Sequence, residues 1–269
     1  MGIIQSETNI GLIRKKNEDV ALSLKHPKDD NIVLIMVADG MGGKEHGEVA
    51  ADFVAQKIKK WFTSREVSTL NNLERSEDQL RELIAKANDE LIKEYGENVL
   101  GTTLSLALIN KEKTLIMNIG DSRIYVYRKR KLIQITEDDS DVWYYYKYGA
   151  VKKDDLRYFY HNNIITACIG IGDKFCNITS NVLENDYDII LCLTDGVTDL
   201  ILDRKIKRLI ETNSSKNILS SIIDEAVNKD QHLRIPLRLK RKKFSKYITP
   251  FHGRDNASGS IYIAKNLKK

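Results

Sequence analysis

The sequence predicts a layered α+β fold. Two observations carry that reading: strand-like apolar runs follow one another through short turns, and two pairs of amphipathic helical stretches interrupt them. A chain of 269 residues with 42% hydrophobic and 30% charged side chains can bury one substantial core. It has only 3 prolines and no Gly/Ser-rich linker, so residues 1–269 read as a single domain.

Residues 32–38 are an unbroken apolar run closed by Asp-Gly, the pattern of a buried strand ending in a turn. Residues 45–62 read as a helix: Val49, Phe53, Val54, Ile58, Trp61 and Phe62 recur at helical spacing, with Lys57, Lys59 and Lys60 mostly opposite. A second helix is predicted over 76–95, with Ser76 and Gln79 as its capping box and Leu80, Ile84, Ala87 and Leu91 along one stripe. Residues 102–109, 114–119 and 123–128 are strands with short connections, which predicts an antiparallel meander. Residues 141–176 break the pattern with a crowd of aromatics, among them Trp143, Tyr144, Tyr145, Tyr146, Tyr148, Tyr158, Phe159 and Tyr160. Strands are predicted again at 188–193 and 260–264, with helices at 203–212 and 215–228 between them.

Four aspartates adjoin these apolar runs: Asp39, Asp121, Asp195 and Asp255. Strand ends of one fold can bring distant acids to one edge of a core, where carboxylates repel one another unless cations neutralise them. Oxygen ligands with no His or Cys cluster suit Mg²⁺ or Mn²⁺. Each acid alone reads equally as a turn residue.

The surrounding residues go further. In order they are Arg14 with Asn17-Glu18-Asp19; Asp39-Gly40-Met41-Gly42-Gly43 with Gly47-Glu48; Gly101-Thr102-Thr103; Gly120-Asp121-Ser122-Arg123; Thr136-Glu137-Asp138-Asp139-Ser140; Thr194-Asp195-Gly196-Val197-Thr198-Asp199; and Asp255-Asn256. In kind and order this set resembles the PP2C-type metal-dependent protein serine/threonine phosphatases, in their bacterial branch, from about Gly11 to Ala264.

That resemblance implies a four-layer α-β-β-α sandwich, two central and mostly antiparallel sheets flanked by helices, with a flap at about 141–176. It implies hydrolysis of phosphoserine and phosphothreonine in proteins by a water or hydroxide bridging two Mn²⁺ or Mg²⁺ ions, opposing a cognate Ser/Thr kinase. Asp39 then bridges the ions as a catalytic residue, the Gly40 carbonyl binds one, and Asp195 and Asp255 complete the other. Asp121 with Asp195 is the place for a third ion. Glu18 and Asp19 accept from metal-bound waters, Asn256 supports the turn, and Arg14 grips the phosphate. Departures from the pattern are Met41, where some relatives carry a His, and Asp139, where the Thr-x-Asp-His-Ser motif has its His. The role of His46 stays open. Two other readings compete: a non-catalytic phosphoprotein-binding member of the same fold, and a metal-dependent nuclease.

Net charge is +5 but uneven: Arg234, Arg238, Lys240, Arg241, Lys242, Lys243 and Lys246 fall in one stretch without an acid. That segment reads as a solvated loop or as a dock for an acidic partner. Set against the resembling family, residues 230–252 are longer and more basic than the usual connection before the last metal aspartate. The three cysteines, Cys168, Cys176 and Cys192, lack metal-site spacing and read as reduced structural thiols. With no long apolar run and no signal-like N-terminus, the expectation is a cytoplasmic monomer.

Overall fold

The computed structural model describes residues 2–42, 46–159, 164–175, 178–229 and 255–264. The basic segment 234–246, Gly43, Tyr160, Cys176 and the expected helix start at residue 45 lie outside them.

The chain opens with β1 (Ile3–Asn9), β2 (Asp19–His26) and β3 (Asp29–Gly42), followed by α1 (Gly47–Ser64), α2 (Val67–Asn71) and α3 (Leu73–Tyr95). Next come β4 (Leu100–Thr102), β5 (Leu104–Ile109), β6 (Lys113–Ile119), β7 (Arg123–Arg128) and β8 (Lys131–Gln134). The aromatic stretch folds as α4 (Asp141–Lys147) and two 3₁₀ turns, Lys153–Tyr158 and Gly172–Lys174. Then follow β9 (Thr179–Glu184), β10 (Ile189–Leu193), α5 (Asp195–Thr198), α6 (Asp203–Thr212), α7 (Ile218–Lys229) and β11 (Ala257–Ile263).

Two sheets result, one ordered β1-β11-β10-β7-β8 and the other β2-β3-β5-β6-β9 with β4 on β3. Their pairings are antiparallel. Alternation along β3 shows how the layers form. Ile32, Leu34, Met36 and Ala38 pack with the stripes of α1 and α3, including Ile58, Phe62, Leu80 and Ile84. Val33, Ile35 and Val37 point the other way and meet Ile124, Val126, Ile190 and Cys192 of the facing sheet. The outer face of that sheet, through Leu191, Leu193 and Ile261, packs on Ile206, Ile218 and Ile222 of α6 and α7. Both faces of β3 are buried, which is why it reads as a continuous apolar run. The layers are those the sequence resemblance implied. Among the described residues no helix is long and apolar enough to cross a membrane.

Three local expectations are corrected. β3 continues past residue 38, so Asp39 lies inside a strand and not after one. The run 102–109 breaks at Thr103 into β4 and β5, and 114–119 does not pair with 123–128. Gly120, Asp121 and Ser122 instead carry the chain from one sheet to the other, so the meander ends there. Gly120 makes this possible: its φ is +102°, and a Cβ would sit 2.5 Å from Thr103 Cγ2. Third, α3 starts at Leu73. Its cap is Asn72, whose side chain accepts from the Arg75 amide (2.9 Å), while Ser76 is buried within the helix and donates to the Thr69 carbonyl (3.0 Å).

Candidate metal centre

Register in the first hairpin places Asp19 directly opposite Asp39. The backbone of Asp39 is pinned from the other side: its amide donates to Thr103 Oγ1 (3.0 Å), and its carbonyl accepts from the Thr103 amide (2.9 Å) and from Thr102 Oγ1 (3.0 Å). Thr103 Oγ1 also contacts Ser122 Oγ (2.9 Å), which ties β3 to the crossover bearing Asp121. Gly40 leaves room for a tight approach. A Cβ on it would lie 2.2 Å from the Gly47 carbonyl, and one on Gly47 would lie 2.6 Å from the Gly40 carbonyl.

The facing sheet supplies the other acids. β10 and β11 are neighbours, with Leu193 opposite Gly259. Asp195 opens α5 just after β10, and Asp255 stands just before β11. Thr194 bridges the sheets: its hydroxyl donates to Asp19 Oδ2 (3.0 Å) and accepts from the Ser258 amide (3.0 Å). Asn256 fastens the loop before β2, accepting from the Glu18 amide (2.7 Å) and donating to the carbonyls of Ile10 and Lys16 (3.0 Å each). Glu18 Oε1 accepts from the Gly47 amide (3.1 Å).

These carboxylates repel one another. Burial pushes Asp39 well above the ordinary carboxylate range, and the charges of Asp19, Asp195 and Asp255 push it further. Asp19 is raised for the same first reason and further by Asp195 and Asp255, against the hydrogen bond its Oδ2 accepts from Thr194. Asp195 rises to about 7 through burial and then through Asp255 and Asp199. Asp121 is raised by burial and then by Asp195, Asp138 and Asp199, with Arg123 opposing. Arg14, 43% exposed at the rim, pairs with Asp255 (2.8 Å) and with Glu18 (3.3 Å). Burial alone would make Arg14 a weaker base, but those two acids and Asp39 outweigh it.

The acids therefore fit divalent cations. Buried Oδ1 atoms of Asp19, Asp121 and Asp195 have no hydrogen-bond partner, and a cation would satisfy oxygens of this kind. Among the described residues no group of three or more acid, His or Cys side chains is arranged as it stands to hold a metal ion. Arg14 offsets part of the charge through its pairs with Asp255 and Glu18.

Every acid the sequence singled out reaches this edge of the sandwich. Asp39, Asp19, Asp195 and Asp255 interact with one another, and Asp121 joins through Asp195. His46 stands exposed before α1 and makes no capping bond with its side chain. Asp139 tethers the crossover, its Oδ2 accepting from the Gly120 amide (2.9 Å), and its carboxyl is pushed up to about 6, first by burial. Sequence reasoning gave no role to Asp199. It stands four residues after Asp195, a spacing that shares a helical face, and it lines one small cleft with Asp121, Asp195, Ser140 and, from the 141–176 stretch, Val142 and Leu156.

Comparison with known proteins agrees with this geometry. The model of the family described as protein phosphatase 2C matches residues 15–229. A serine/threonine phosphatase, stp, of Listeria monocytogenes is 30% identical over 226 residues, 82% of this chain and 87% of its own. The crystal structure of Stp1 from Staphylococcus aureus superposes with a TM-score of 0.80 at 26% identity, over 99% of this chain and 96% of that one. The PstP catalytic domain, solved in complex with 2 manganese ions, shares the fold at 21% identity, with a TM-score of 0.75 and 97% of both chains covered. A family match of that length, with a relative of that identity and coverage, means that this chain belongs to the protein phosphatase 2C family.

Proposed function

We propose that this protein is a metal-dependent protein serine/threonine phosphatase, with residues 1–269 acting as one catalytic domain on phosphorylated proteins. The supporting observation is the gathering of mutually raised carboxylates at the strand edge beside Arg14, with the buried Oδ1 atoms of Asp19, Asp121 and Asp195 lacking partners.

Asp39, Asp195 and Asp255, with the Gly40 carbonyl, would hold two Mn²⁺ or Mg²⁺ ions, and Asp121 with Asp195 a third. Bound there, such ions lower the pKa of water and offset charge on phosphoryl oxygens. The chain's own work is placement. β3 fixes Asp39 through Thr102 and Thr103, so the carboxylate is held before any ligand arrives. Glu18, Asp19 and Asn256 brace the same edge from the loop before β2. Arg14 gives the rim a planar cation suited to two phosphoryl oxygens, where the substrate would replace part of its pairing with Asp255. Substrates are phosphoproteins, and a Ser/Thr kinase that makes them is the partner this activity would oppose.

The test is hydrolysis of a phosphothreonine peptide and of p-nitrophenyl phosphate by purified protein. Both should cease with EDTA and return with Mn²⁺. Turnover of neither substrate under any metal would favour the non-catalytic binding role.

A further inference from the structure

Between β1 and Arg14 the chain runs Ile10-Gly11-Leu12-Ile13. Connecting loops are normally polar, yet Ile10, Leu12 and Ile13 are 40%, 51% and 52% exposed. They pack into none of the hydrophobic clusters formed by the described residues. The loop is nevertheless held firmly. The Gly11 amide donates to Asn9 Oδ1 (2.9 Å), and Asn256 donates to the carbonyls of Ile10 and Lys16. Gly11 has φ +75° and passes so near the Asp255 backbone that a Cβ would lie 2.5 Å from its carbonyl oxygen. The apolar side chains are thus presented on a fixed backbone.

We propose that Leu12 and Ile13 form a docking ledge for the substrate polypeptide, selecting phosphoproteins with an apolar residue next to the phosphorylated one. This rests on the phosphatase reading above and adds its substrate preference. Leu12 and Ile13 lie two and one residues from Arg14, within about 4–8 Å of it along the backbone. A substrate chain advances about 3.3–3.5 Å per residue, so a phosphate held at Arg14 brings its neighbouring side chain to this ledge. Little ordering accompanies the contact, because the loop is already pinned. The same backbone ties join the ledge to Asp255, so it cannot drift from the acids. Exposed Lys15 adds a positive charge beside it for an acidic phosphopeptide.

The test compares phosphothreonine peptides that differ only in having Leu or Ser on either side of the phosphorylated residue. Wild-type kcat/KM should favour the Leu-flanked peptide by about tenfold, the usual value of one apolar contact in discrimination. The double variant Leu12→Ser, Ile13→Ser should lose that preference while keeping its rate on the Ser-flanked peptide within about twofold. Thermal melts confirm its fold, and Leu12→Ala alone should show a partial loss. Equal wild-type rates on both peptides, or a preference surviving in the variants, would overturn the ledge and leave the phosphatase reading intact. Wild-type binding to phosphatidylglycerol vesicles that Leu12→Ser, Ile13→Ser abolishes, with no peptide preference, would assign the loop to a membrane surface and overturn it too. No turnover of any peptide would instead remove the phosphatase reading itself.

Discussion

Asp19 stands directly across the β2–β3 ladder from Asp39, a buried carboxylate opposite a half-buried one on adjacent strands. Like charges so placed destabilise a sheet, and burial multiplies the cost. In the proposed reading, divalent cations offset that repulsion. Asp39→Asn should therefore raise the melting temperature of EDTA-treated protein while cutting phosphatase turnover by more than about tenfold, or ~1.4 kcal/mol. Melting curves and p-nitrophenyl phosphate assays on the same preparation check both halves.

The pH dependence of the metal-free protein follows from the same acids. Asp19, Asp39 and Asp121 are raised, and Asp195 lies at about 7. A raised carboxylate keeps its proton in the fold after an unfolded chain has lost it. Its contribution is thus complete below the unfolded value near 4 and is lost as pH rises through the folded value. Stability in EDTA should fall between pH 5 and pH 7, as the folded value of Asp195 at about 7 requires, by about 1.4 kcal/mol per pH unit for each acid ionised in the unfolded chain and still protonated in the fold. Saturating Mn²⁺ should flatten or reverse that slope, because cations bind the deprotonated acids. Urea titrations at the two pH values, with and without Mn²⁺, measure it.

Arg14→Ala should weaken substrate binding and spare metal affinity. A charge-assisted hydrogen bond contributes roughly 1.5–3 kcal/mol, so KM should rise by about one to two orders of magnitude if ground and transition states share the contact. Steady-state kinetics show it, with Mn²⁺ titration as the control.

Behind the site, Arg123 Nε donates to both Asp138 oxygens (2.9 Å each) and its Nη2 donates to Oδ2 (2.6 Å), in a pair almost fully buried. Gln134 Nε2 also donates to Asp138 (2.9 Å). Asp138→Ala would strand a buried guanidinium and should cost about 3–5 kcal/mol in chemical denaturation.

Much of this was legible in the sequence because the physics is local. Continuous burial along β3, the α1 stripe and the span of α6 all follow from side-chain pattern. Asp195 and Asp255 were legible as residues flanking strands, whereas Asp39 turned out to lie within one. What stayed hidden depends on partners far away in the chain. No local signal says that Gly120–Ser122 changes sheets, since a three-residue turn with Gly and Asp also closes a hairpin. Asn72 outcompeted Ser76 as the cap because Ser76 finds the Thr69 carbonyl inside the core. Thr194 reaches Asp19 only once the two sheets have packed.

If these carboxylates together hold divalent cations, the metal-free protein must take such ions up from solution. Isothermal titration of Mn²⁺ into EDTA-stripped protein tests it most directly, with Asp39→Asn alongside. Saturable binding of more than one ion per chain is expected in the wild type, accompanied by proton release, with a marked loss of both in the variant. Wild-type protein that takes up no Mn²⁺, or an Asp39→Asn variant that binds it with unchanged stoichiometry and affinity, would contradict it.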